Sequence, residues 1–339
     1  MTAFFINLLT WINKLVGNYG WSIVLFTLLI RLVLLPLDIK SKKSMRAMTK
    51  IQPKVQALQK KYANDKEKLN QKTMELYRKE HVSPTAGCLP MLISLPILWI
   101  MFSAMRTLGN EYTIQMLLDM KNTGKALSLA DLKAAGYSWL WIKNVFQPDS
   151  FASTILPAVG STLRMVQASN ASAVLSQENI EIARAFLNSS EYSALAANLI
   201  PASAFTVQRL DFLFIHTVLT LPNSFANVFR YGNGLFILPL LAGASQFLMT
   251  GIMNGKKTPE QKAAEAQQQA DATNPMNSPV MKWFFPLFSV WICATTYAAF
   301  SIYWMAANVI QIAQQLMVNW YFERQDAKAA EAAPETDDT

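Results

Sequence analysis

A single arginine inside a long apolar stretch is the residue of this sequence best placed to do chemistry through its charge. Arg31 lies in the run Phe26-Thr-Leu-Leu-Ile-Arg-Leu-Val-Leu-Leu-Pro36, and Thr27 lies one helical turn earlier on the same face. An arginine at the centre of a membrane span costs about 2.5–3.5 kcal/mol, so such residues usually face a watery cavity or a partner. Arg31 therefore either faces a wet groove that receives an anionic or polar group, or extends to the nearby lipid head groups.

Amide side chains lie at helical spacing in a second apolar stretch, near the end of the chain. Asn308, Gln311 and Gln315 fall near one stripe of a helix, and Asn319 follows them. Amides within membrane spans often only hydrogen-bond neighbouring helices. The pattern thus favours helix packing and the lining of a polar groove about equally.

The sequence lacks the spacing patterns of common enzyme and metal sites. His81 and His216 form no HExxH zinc site, and Gly251-Ile-Met-Asn-Gly255-Lys256 lacks the spacing of a phosphate-binding loop. No Gly-x-Ser-x-Gly elbow occurs either. We therefore expect a protein that is not an enzyme, with no catalytic residue, no metal and no cofactor.

Membrane-spanning helices must position the polar groups. The chain of 339 residues is 52% hydrophobic and 15% charged, more apolar than an ordinary soluble domain. Runs long enough to cross about 30 Å of hydrocarbon occur around residues 21–37, 89–105, 235–253 and 283–320. The last run is nearly twice the length of one span, so we expect it to turn near Thr296 to Ser301. The predicted fold class is an all-α integral membrane protein with five transmembrane helices.

The positive charge is concentrated in one segment. Residues 38–82 contain 13 Lys and Arg against 5 Asp and Glu, a net charge of +8 that equals the net charge of the whole chain. Excess Lys and Arg in a short loop marks the cytoplasmic side of a plasma (inner) membrane, so we predict a cytoplasmic segment here, an outer N-terminus and a cytoplasmic C-terminus. Attraction to anionic lipid head groups and a specific partner surface are equal alternatives for the basic stretch. No acidic residue lies within the five expected spans, which leaves Arg31 without a predicted counter-charge there.

Amphipathic patterns predict that this basic segment is a helical hairpin. Residues 40–62 carry apolar side chains at steps of three and four, the spacing of a coiled-coil seam, and Pro53 should kink that helix. Asn64 with Glu67 resembles a capping box for a second helix that ends near His81. Two amphipathic helices joined by a short turn make an antiparallel hairpin.

The remaining segments follow from the same patterns. The first apolar residues share one helical face, which predicts a helix in the outer interface, and the long external segment is expected to be mostly helical. In order, the expected segments are an interfacial helix (1–18), transmembrane helix 1 (19–37), the basic cytoplasmic hairpin (38–86), transmembrane helix 2 (87–106), the external region with its insertion (107–233), transmembrane helix 3 (234–254), a cytoplasmic loop (255–280), transmembrane helices 4 (281–298) and 5 (301–322), and an acidic, disordered cytoplasmic tail (323–339).

A series of short motifs runs through about three quarters of the chain. They are Asn18-Tyr-Gly-Trp-Ser-Ile23, Arg31, Pro36-Leu37, Gln52-Pro53-Lys54, Asp65-Lys66, Tyr77, Gly87-Cys-Leu-Pro90, Leu95-Pro-Ile97, Leu140-Trp-Ile142, Pro148-Asp149, Ile237-Leu-Pro239, Tyr303-Trp304, Asn308 and Gln314-Gln315. In this order they resemble the YidC-type membrane protein insertases (the YidC/Oxa/Alb family), in the short form without the large N-terminal soluble domain. The resemblance implies a five-span core with a hydrophilic groove that opens to the cytoplasm and to lipid and is closed toward the outside.

The resemblance also implies roles for particular residues. Arg31 and Thr27 match the family's groove residues, Tyr303 and Trp304 match aromatic positions that contact substrate segments, and Gln246 fits the groove loosely. The expected substrate groove thus comprises Arg31, Thr27, Gln246, Tyr303, Trp304, Asn308 and Gln311. The sequence departs from the family pattern in the turn before the last span and in roughly 80 extra residues ahead of the third span.

The function implied by the resemblance is that of a membrane protein insertase and chaperone, which receives nascent transmembrane segments in the groove and releases them into the bilayer without nucleotide hydrolysis. The implied partners are nascent membrane proteins, the lipid bilayer, the ribosome, the signal recognition particle or its receptor, and a translocon, with no specific nucleic acid sequence. The alternative is a small-anion transporter or channel that uses Arg31 in a wet cavity.

Overall fold

The structure of the chain, a computed structural model, describes residues 2–81, 89–157, 176–212, 215–254 and 279–331. These residues are mostly helical, which confirms the all-α class in its general form. The helices are α1 (Thr2–Val16), α2 (Tyr19–Lys61), α3 (Lys66–Lys79), α4 (Leu89–Thr123), α5 (Leu129–Ala134), α6 (Gln177–Leu187), α7 (Ser190–Leu199), α8 (Phe225–Tyr231), α9 (Ile237–Asn254), α10 (Pro279–Thr295) and α11 (Ala298–Glu331), with a short 3₁₀ helix at Ala202–Ala204. Strands β1 (Phe205–Phe212) and β2 (Ile215–Pro222) form an antiparallel hairpin.

The apolar helices differ in length. Among the described residues, one helical stretch, Tyr19–Ser44 of α2, is both long and apolar enough to cross a membrane. The stretches Thr2–Val16, Ile237–Met249 and Trp283–Thr295 are apolar but shorter. The five-span arrangement therefore stays a prediction.

The chain folds as two compact units. The first contains Met1–Leu28, Ile100–Met249 and Lys282–Val309, and the second contains Leu29–Trp99, Thr250–Met281 and Ile310–Thr339. Helices α2, α4, α9, α10 and α11 each contribute residues to both units. The expected external region belongs to the first unit and the basic hairpin to the second.

In the first unit, the junction between α1 and α2 is fixed by close backbone contacts. α1 ends where Gly17 adopts a φ of 70°, a left-handed conformation that glycine takes without steric cost. The Asn18 side chain caps the first turn of α2, and its Nδ2 donates a hydrogen bond to the carbonyl of Ser138 at 2.7 Å. A side chain at Gly20 would clash with the ring of Trp139, so a glycine is needed for α2 to pack this closely. The motif at residues 18–23 thus contacts residues 138 and 139, which directly precede the motif Leu140-Trp-Ile142.

A buried loop, residues 144–149, is tied to the start of α9. Asn144 and Asn233 exchange hydrogen bonds, from the Asn144 N–H to Oδ1 at 2.8 Å and from the Asn233 Nδ2 to the Asn144 carbonyl at 2.9 Å. The carboxylate of Asp149, which is fully buried, accepts hydrogen bonds from the indole of Trp141 at 3.3 Å and from three backbone N–H groups. These donors are the N–H groups of Leu235, Phe236 and Leu238, at 2.9, 3.2 and 2.7 Å. Asp149 therefore caps α9 from a distant part of the chain.

The same loop supplies acceptors to the start of α11. The N–H of Ala298 donates to the carbonyl of Gln147 at 3.0 Å, and the N–H of Ala299 donates to the carbonyl of Val145 at 2.8 Å. The first N–H groups of a helix have no partner inside the helix, so these carbonyls satisfy donors that would otherwise be buried without one. We name residues 144–149 the capping loop.

The external region has a hydrophobic core of its own. α4 continues to Thr123, past the expected end of its span at residue 106, because its later turns contribute Ile114, Leu117 and Met120 to this core. Serine side chains cap the neighbouring short helices. The buried members of the core are Ile114, Met116, Leu117, Met120, Leu132, Ile155, Leu156, Ile180, Ala183, Phe186, Leu187 and Tyr192, and the capping residues are Ser128 of α5, Ser176 of α6 and Ser189 of α7.

The hairpin of β1 and β2 is the part of the external region that the expectation of a mostly helical insertion missed. The strands pair from Phe205 with Pro222 to Phe212 with Ile215. β-Branched residues are frequent in β2, and such residues favour strands. Without strict alternation of apolar and polar residues, this composition is a weak strand signal.

In the second unit, α2 continues without interruption past Pro36 and Pro53. The expected boundary between the first span and the hairpin therefore falls inside one helix. Each proline lacks an N–H group, so the helical hydrogen bond to the carbonyl four residues earlier is lost at both places. The remaining hydrogen bonds of a long helix are sufficient to keep the segment helical.

The second helix of the hairpin, α3, begins one residue later than expected. The predicted cap at Asn64 is wrong, because Asp65 is the cap and its Oδ1 accepts a hydrogen bond from the Lys68 N–H at 3.0 Å. Near the other end, Lys54 of α2 forms a salt bridge with Glu80 at 2.5 Å. The hydrogen bond from Lys54 holds the pKa of Glu80 below its usual value. Because exposed ion pairs contribute little to stability, we regard this bridge as an orienting contact.

Several predicted segments lie partly or wholly outside the described residues. Residues 82–88, the loop 255–278 and the tail 332–339 lie outside the described residues. The expectation of disorder from residue 323 is wrong for residues 323–331, which are part of α11 and consist largely of good helix formers. α10 and α11 are separated at Thr296 and Tyr297, where the expected turn begins.

Replacing Asp149 by alanine should lower the free energy of unfolding by about 3 kcal/mol or more, because each buried donor left without an acceptor costs roughly 1–3 kcal/mol. Thermal unfolding in detergent measures the change. The matched control is Asp119→Ala, since Asp119 is exposed and accepts a hydrogen bond from Gln115 in its own helix; its effect should stay within about 0.5 kcal/mol. Equal unfolding midpoints for the two variants would contradict the capping role.

Candidate functional site

Arg31 lies in the second unit and is partly exposed on α2. Its Nη2 donates a hydrogen bond to Oε1 of Gln311 on α11, at 3.3 Å. Asp38 lies two helical turns further along the same face of α2, with Lys42 one turn beyond it, and both interact electrostatically with Arg31. The cation therefore has a neutral hydrogen-bond partner and an acidic neighbour.

The acidic neighbour was missed because it lies just beyond the expected end of the first span. Asp38 is the first residue after residues 19–37. Residues seven apart lie on one face of a helix, so the spacing from Arg31 to Asp38 contained the signal. An uninterrupted helix past Pro36 is what makes that spacing meaningful.

Gln314 is a second residue of this site to which the sequence pattern assigned no role in the groove. Its side chain is only 7% exposed, and its Nε2 donates to the backbone carbonyl of Arg31 at 3.5 Å. In the part of the chain that the structure describes, its Oε1 is buried and has no hydrogen-bond partner. The sequence signal for Gln314 was its spacing from Gln311, because residues three apart are neighbours on one face of a helix. Arg31, Gln311 and Gln314 thus form a polar cluster in the second unit.

Two of the expected groove residues of the first unit make hydrogen bonds typical of helix packing. The hydroxyl of Thr27 is buried and donates to the carbonyl of Ile23 in its own helix at 2.6 Å. Nδ2 of Asn308 donates to the hydroxyl of Ser245 on α9 at 3.0 Å. For Asn308 this is the interhelical bond expected under the packing interpretation.

The aromatic pair and Gln246 also belong to the first unit. Tyr303 is buried, and its ring centroid lies 6.2 Å from that of Phe300. Trp304 is partly exposed, with its ring 5.5 Å from Phe300, and within the described residues its buried indole N–H has no hydrogen-bond partner. Gln246 is partly buried on α9. The seven predicted residues therefore divide into a polar pair, Arg31 and Gln311, in one unit and five residues in the other.

The chemistry available in the polar cluster is hydrogen bonding and charge attraction. A guanidinium donates N–H groups only, while each amide both donates and accepts. Among the described residues, no three His, Cys, Asp or Glu side chains are grouped as metal ligands. The cluster can therefore bind polar or anionic groups, and its members include no activated nucleophile.

Comparison with known proteins identifies a family model that matches most of the chain and relatives that each match about a third of it. The model of the family described as "60Kd inner membrane protein" matches residues 11–190 and 186–325. The membrane protein insertase YidC of Fusobacterium nucleatum is 51% identical over 107 residues, which are 32% of this chain and 52% of that protein. The YidC protein of Caldanaerobacter subterraneus is 48% identical over 101 residues, 30% of this chain and 49% of the relative. That of Bordetella petrii is 42% identical over 112 residues, 32% of this chain and 20% of the relative.

Each of these pairwise matches covers about half or less of the relative's own length. The family model, in contrast, extends over the external region and both ends of the helical core. Because it matches far more than half of the residues, the chain belongs to the 60Kd inner membrane protein family, the YidC-type family that its motifs resemble.

Proposed function

We propose that the chain inserts hydrophobic segments of newly made membrane proteins into the inner membrane, without nucleotide hydrolysis. The observation that carries this proposal is Arg31, a partly exposed cation in the apolar part of α2 whose hydrogen-bond partner is the neutral amide of Gln311. A hydrogen bond to an amide does not neutralise the cation, and Asp38, two turns along α2, lowers its attraction for an incoming anion only in part. Membership of a family whose relatives are named membrane protein insertases supports the same function.

The proposed mechanism is physical rather than catalytic. Moving polar groups into hydrocarbon without hydrogen bonds costs several kcal/mol each, about 4–8 on water-to-cyclohexane scales. A cytoplasm-open polar groove would lower this cost for the short outer tail of a substrate, and Arg31 would attract acidic residues in that tail. The following apolar segment would then enter lipid, driven by burial of its own apolar surface.

The other expected groove residues enter the proposal at the second stage. Tyr303 and Trp304 would contact the apolar segment as it leaves the groove, since aromatic rings offer large apolar faces with one polar end. Thr27, Gln246 and Asn308 would keep the surrounding helices polar enough for water to enter. Thr27 and Asn308 each make one hydrogen bond to a neighbouring group, as described above. A hydroxyl and an amide can make further hydrogen bonds, so both side chains could also bind water.

The basic hairpin is proposed as the receiving surface for cytoplasmic partners. Its net charge of +8 suits anionic surfaces such as the ribosome, the signal recognition particle or lipid head groups. We propose five transmembrane helices with the N-terminus outside and the C-terminus in the cytoplasm. Cooperation with a translocon belongs to the same proposal.

The variant Arg31→Gln should reduce insertion of a single-span protein with an acidic outer tail by about tenfold or more, since a hydrogen bond to a charged group contributes roughly 1.5–3 kcal/mol. The assay is protease protection of the tail in liposomes that contain the purified protein with its hairpin outward. Arg31→Lys, which retains the charge, should keep most of the activity.

The control is Arg230→Gln, because Arg230 is exposed in the external region and lies over the ring of Tyr231 at 5.4 Å. It should change insertion by less than about twofold. Insertion no better than in empty liposomes, with the wild-type protein folded and oriented, would refute the insertase function. Protein-dependent anion flux in those liposomes would then favour the transporter.

The proposed orientation predicts opposite labelling of two exposed positions. In a variant whose two cysteines are replaced by serine, Met74→Cys should react with a membrane-impermeant thiol reagent only from the cytoplasmic side, and Phe225→Cys only from the outer side. The native side chains at these positions are 48% and 78% exposed. The measurement is the extent of labelling of each cysteine in right-side-out and in inverted vesicles. Reaction of both positions from the same side would overturn the topology.

A further inference from the structure

The side chain of Gln314 contains a buried oxygen whose role the fold does not explain. Its side chain is 93% buried, since 7% of it is exposed, and its Oε1 has no hydrogen-bond partner among the described residues. Buried side-chain acceptors in folded proteins nearly always have a partner, either protein or water. An acceptor without a protein partner marks a place where a donor, from water or from a bound molecule, would gain a hydrogen bond.

The surroundings of Gln314 indicate what that donor is. The Gln314 amide lies against the Arg31 backbone, with Nε2 and the Arg31 carbonyl 3.5 Å apart, and the Arg31 guanidinium bonds Gln311 one turn earlier on α11. The cluster therefore combines a cation that only donates with an unused oxygen that only accepts. We propose that Gln314 Oε1 binds uncharged hydrogen-bond donors of the substrate tail, the amide N–H₂ of Asn or Gln and the hydroxyl of Ser or Thr.

This proposal rests on the insertase function and adds a rule for substrate choice. A carboxylate accepts hydrogen bonds but donates none when ionised, so the side chains of an acidic tail would use Arg31 and would gain nothing from Gln314. The backbone N–H groups are common to both kinds of tail and do not distinguish them. An uncharged polar tail has donors that need a buried acceptor, and Gln314 offers one. The two residues would then divide the polar tails between them by chemical type.

The test compares two substrates that differ only in the tail, one with Asn and Ser residues and one with Asp and Glu residues. Gln314→Met keeps the length of the side chain and removes the amide. Liposomes with Gln314→Met should insert the Asn/Ser tail about threefold to tenfold less well, the range for one lost neutral hydrogen bond, and the acidic tail as well as wild type. Arg31→Gln should show the reverse preference.

The matched control is Gln315→Met, one residue further along α11. Gln315 is partly buried, and its Nε2 donates to Oδ1 of Asn319 in the same helix at 2.9 Å. Its loss should affect both tails equally and by less than about twofold. An equal effect of Gln315→Met and Gln314→Met on the Asn/Ser tail would overturn the proposal.

Thermal unfolding separates binding from a structural role. Gln314→Met removes a buried acceptor that has no partner among the described residues, and it also removes the long hydrogen bond from Nε2 to the Arg31 carbonyl at 3.5 Å. These two changes act in opposite directions, so the unfolding midpoint should stay close to that of wild type. A lower midpoint with equal loss of both tails would make Gln314 a structural residue and overturn its role in binding. If wild-type liposomes insert neither tail, the insertase function itself fails; if wild type inserts both and Gln314→Met does too, only the assignment of Gln314 fails.

Discussion

Helices that begin away from bulk water need acceptors for their first N–H groups, and the capping loop meets this requirement for two helices at once. Asp149 binds the start of α9, while the carbonyls of Val145 and Gln147 bind the start of α11. These residues are separated from the helices they cap by more than eighty positions in sequence. Without the loop, both helices would begin with buried donors, and each such donor is costly. Tyr303, Trp304 and Asn308 lie in the first three turns of α11. Their positions therefore depend on the hydrogen bonds from the capping loop to the start of this helix.

In the polar cluster of Arg31, Gln311 and Gln314, buried polar groups also have hydrogen-bond partners, apart from one oxygen in the described part of the chain. Gln311 accepts one hydrogen bond from the guanidinium of Arg31 without neutralising it, and Asp38, two turns along α2, moderates the charge from a distance. Within the described residues, Gln314 leaves one acceptor unsatisfied. Under the proposed function the site must release its substrate into lipid, and single hydrogen bonds of modest strength would suit that release.

How much the sequence reveals depends on the range of the interaction. Local patterns predict the mostly helical class, and the unusual cost of a cation in an apolar run draws attention to Arg31 by residue type and position alone. The cap at Asp149 is invisible locally, because its partners at 235–238 follow at a distance set only by the fold. The cap of α3 was misplaced by one residue, since Asn64 and Asp65 are both good caps and local geometry decides between them. The unsatisfied oxygen of Gln314 is a three-dimensional property, and no spacing rule reports it.

Because α2 is continuous past Pro36, a bend of the helix at this proline would move the whole segment that follows it. At 1.5 Å per residue, the helix extends about 25 Å from Pro36 to Pro53, so a bend of about 5° at Pro36 would displace Pro53 by about 2 Å. Arg31 lies little more than one turn on the other side of that bend. Force that a bound partner applies to the basic hairpin would therefore act as a torque close to the cation. Under the proposed function, the helix would convey mechanical force, as well as charge, from the basic hairpin to the polar cluster.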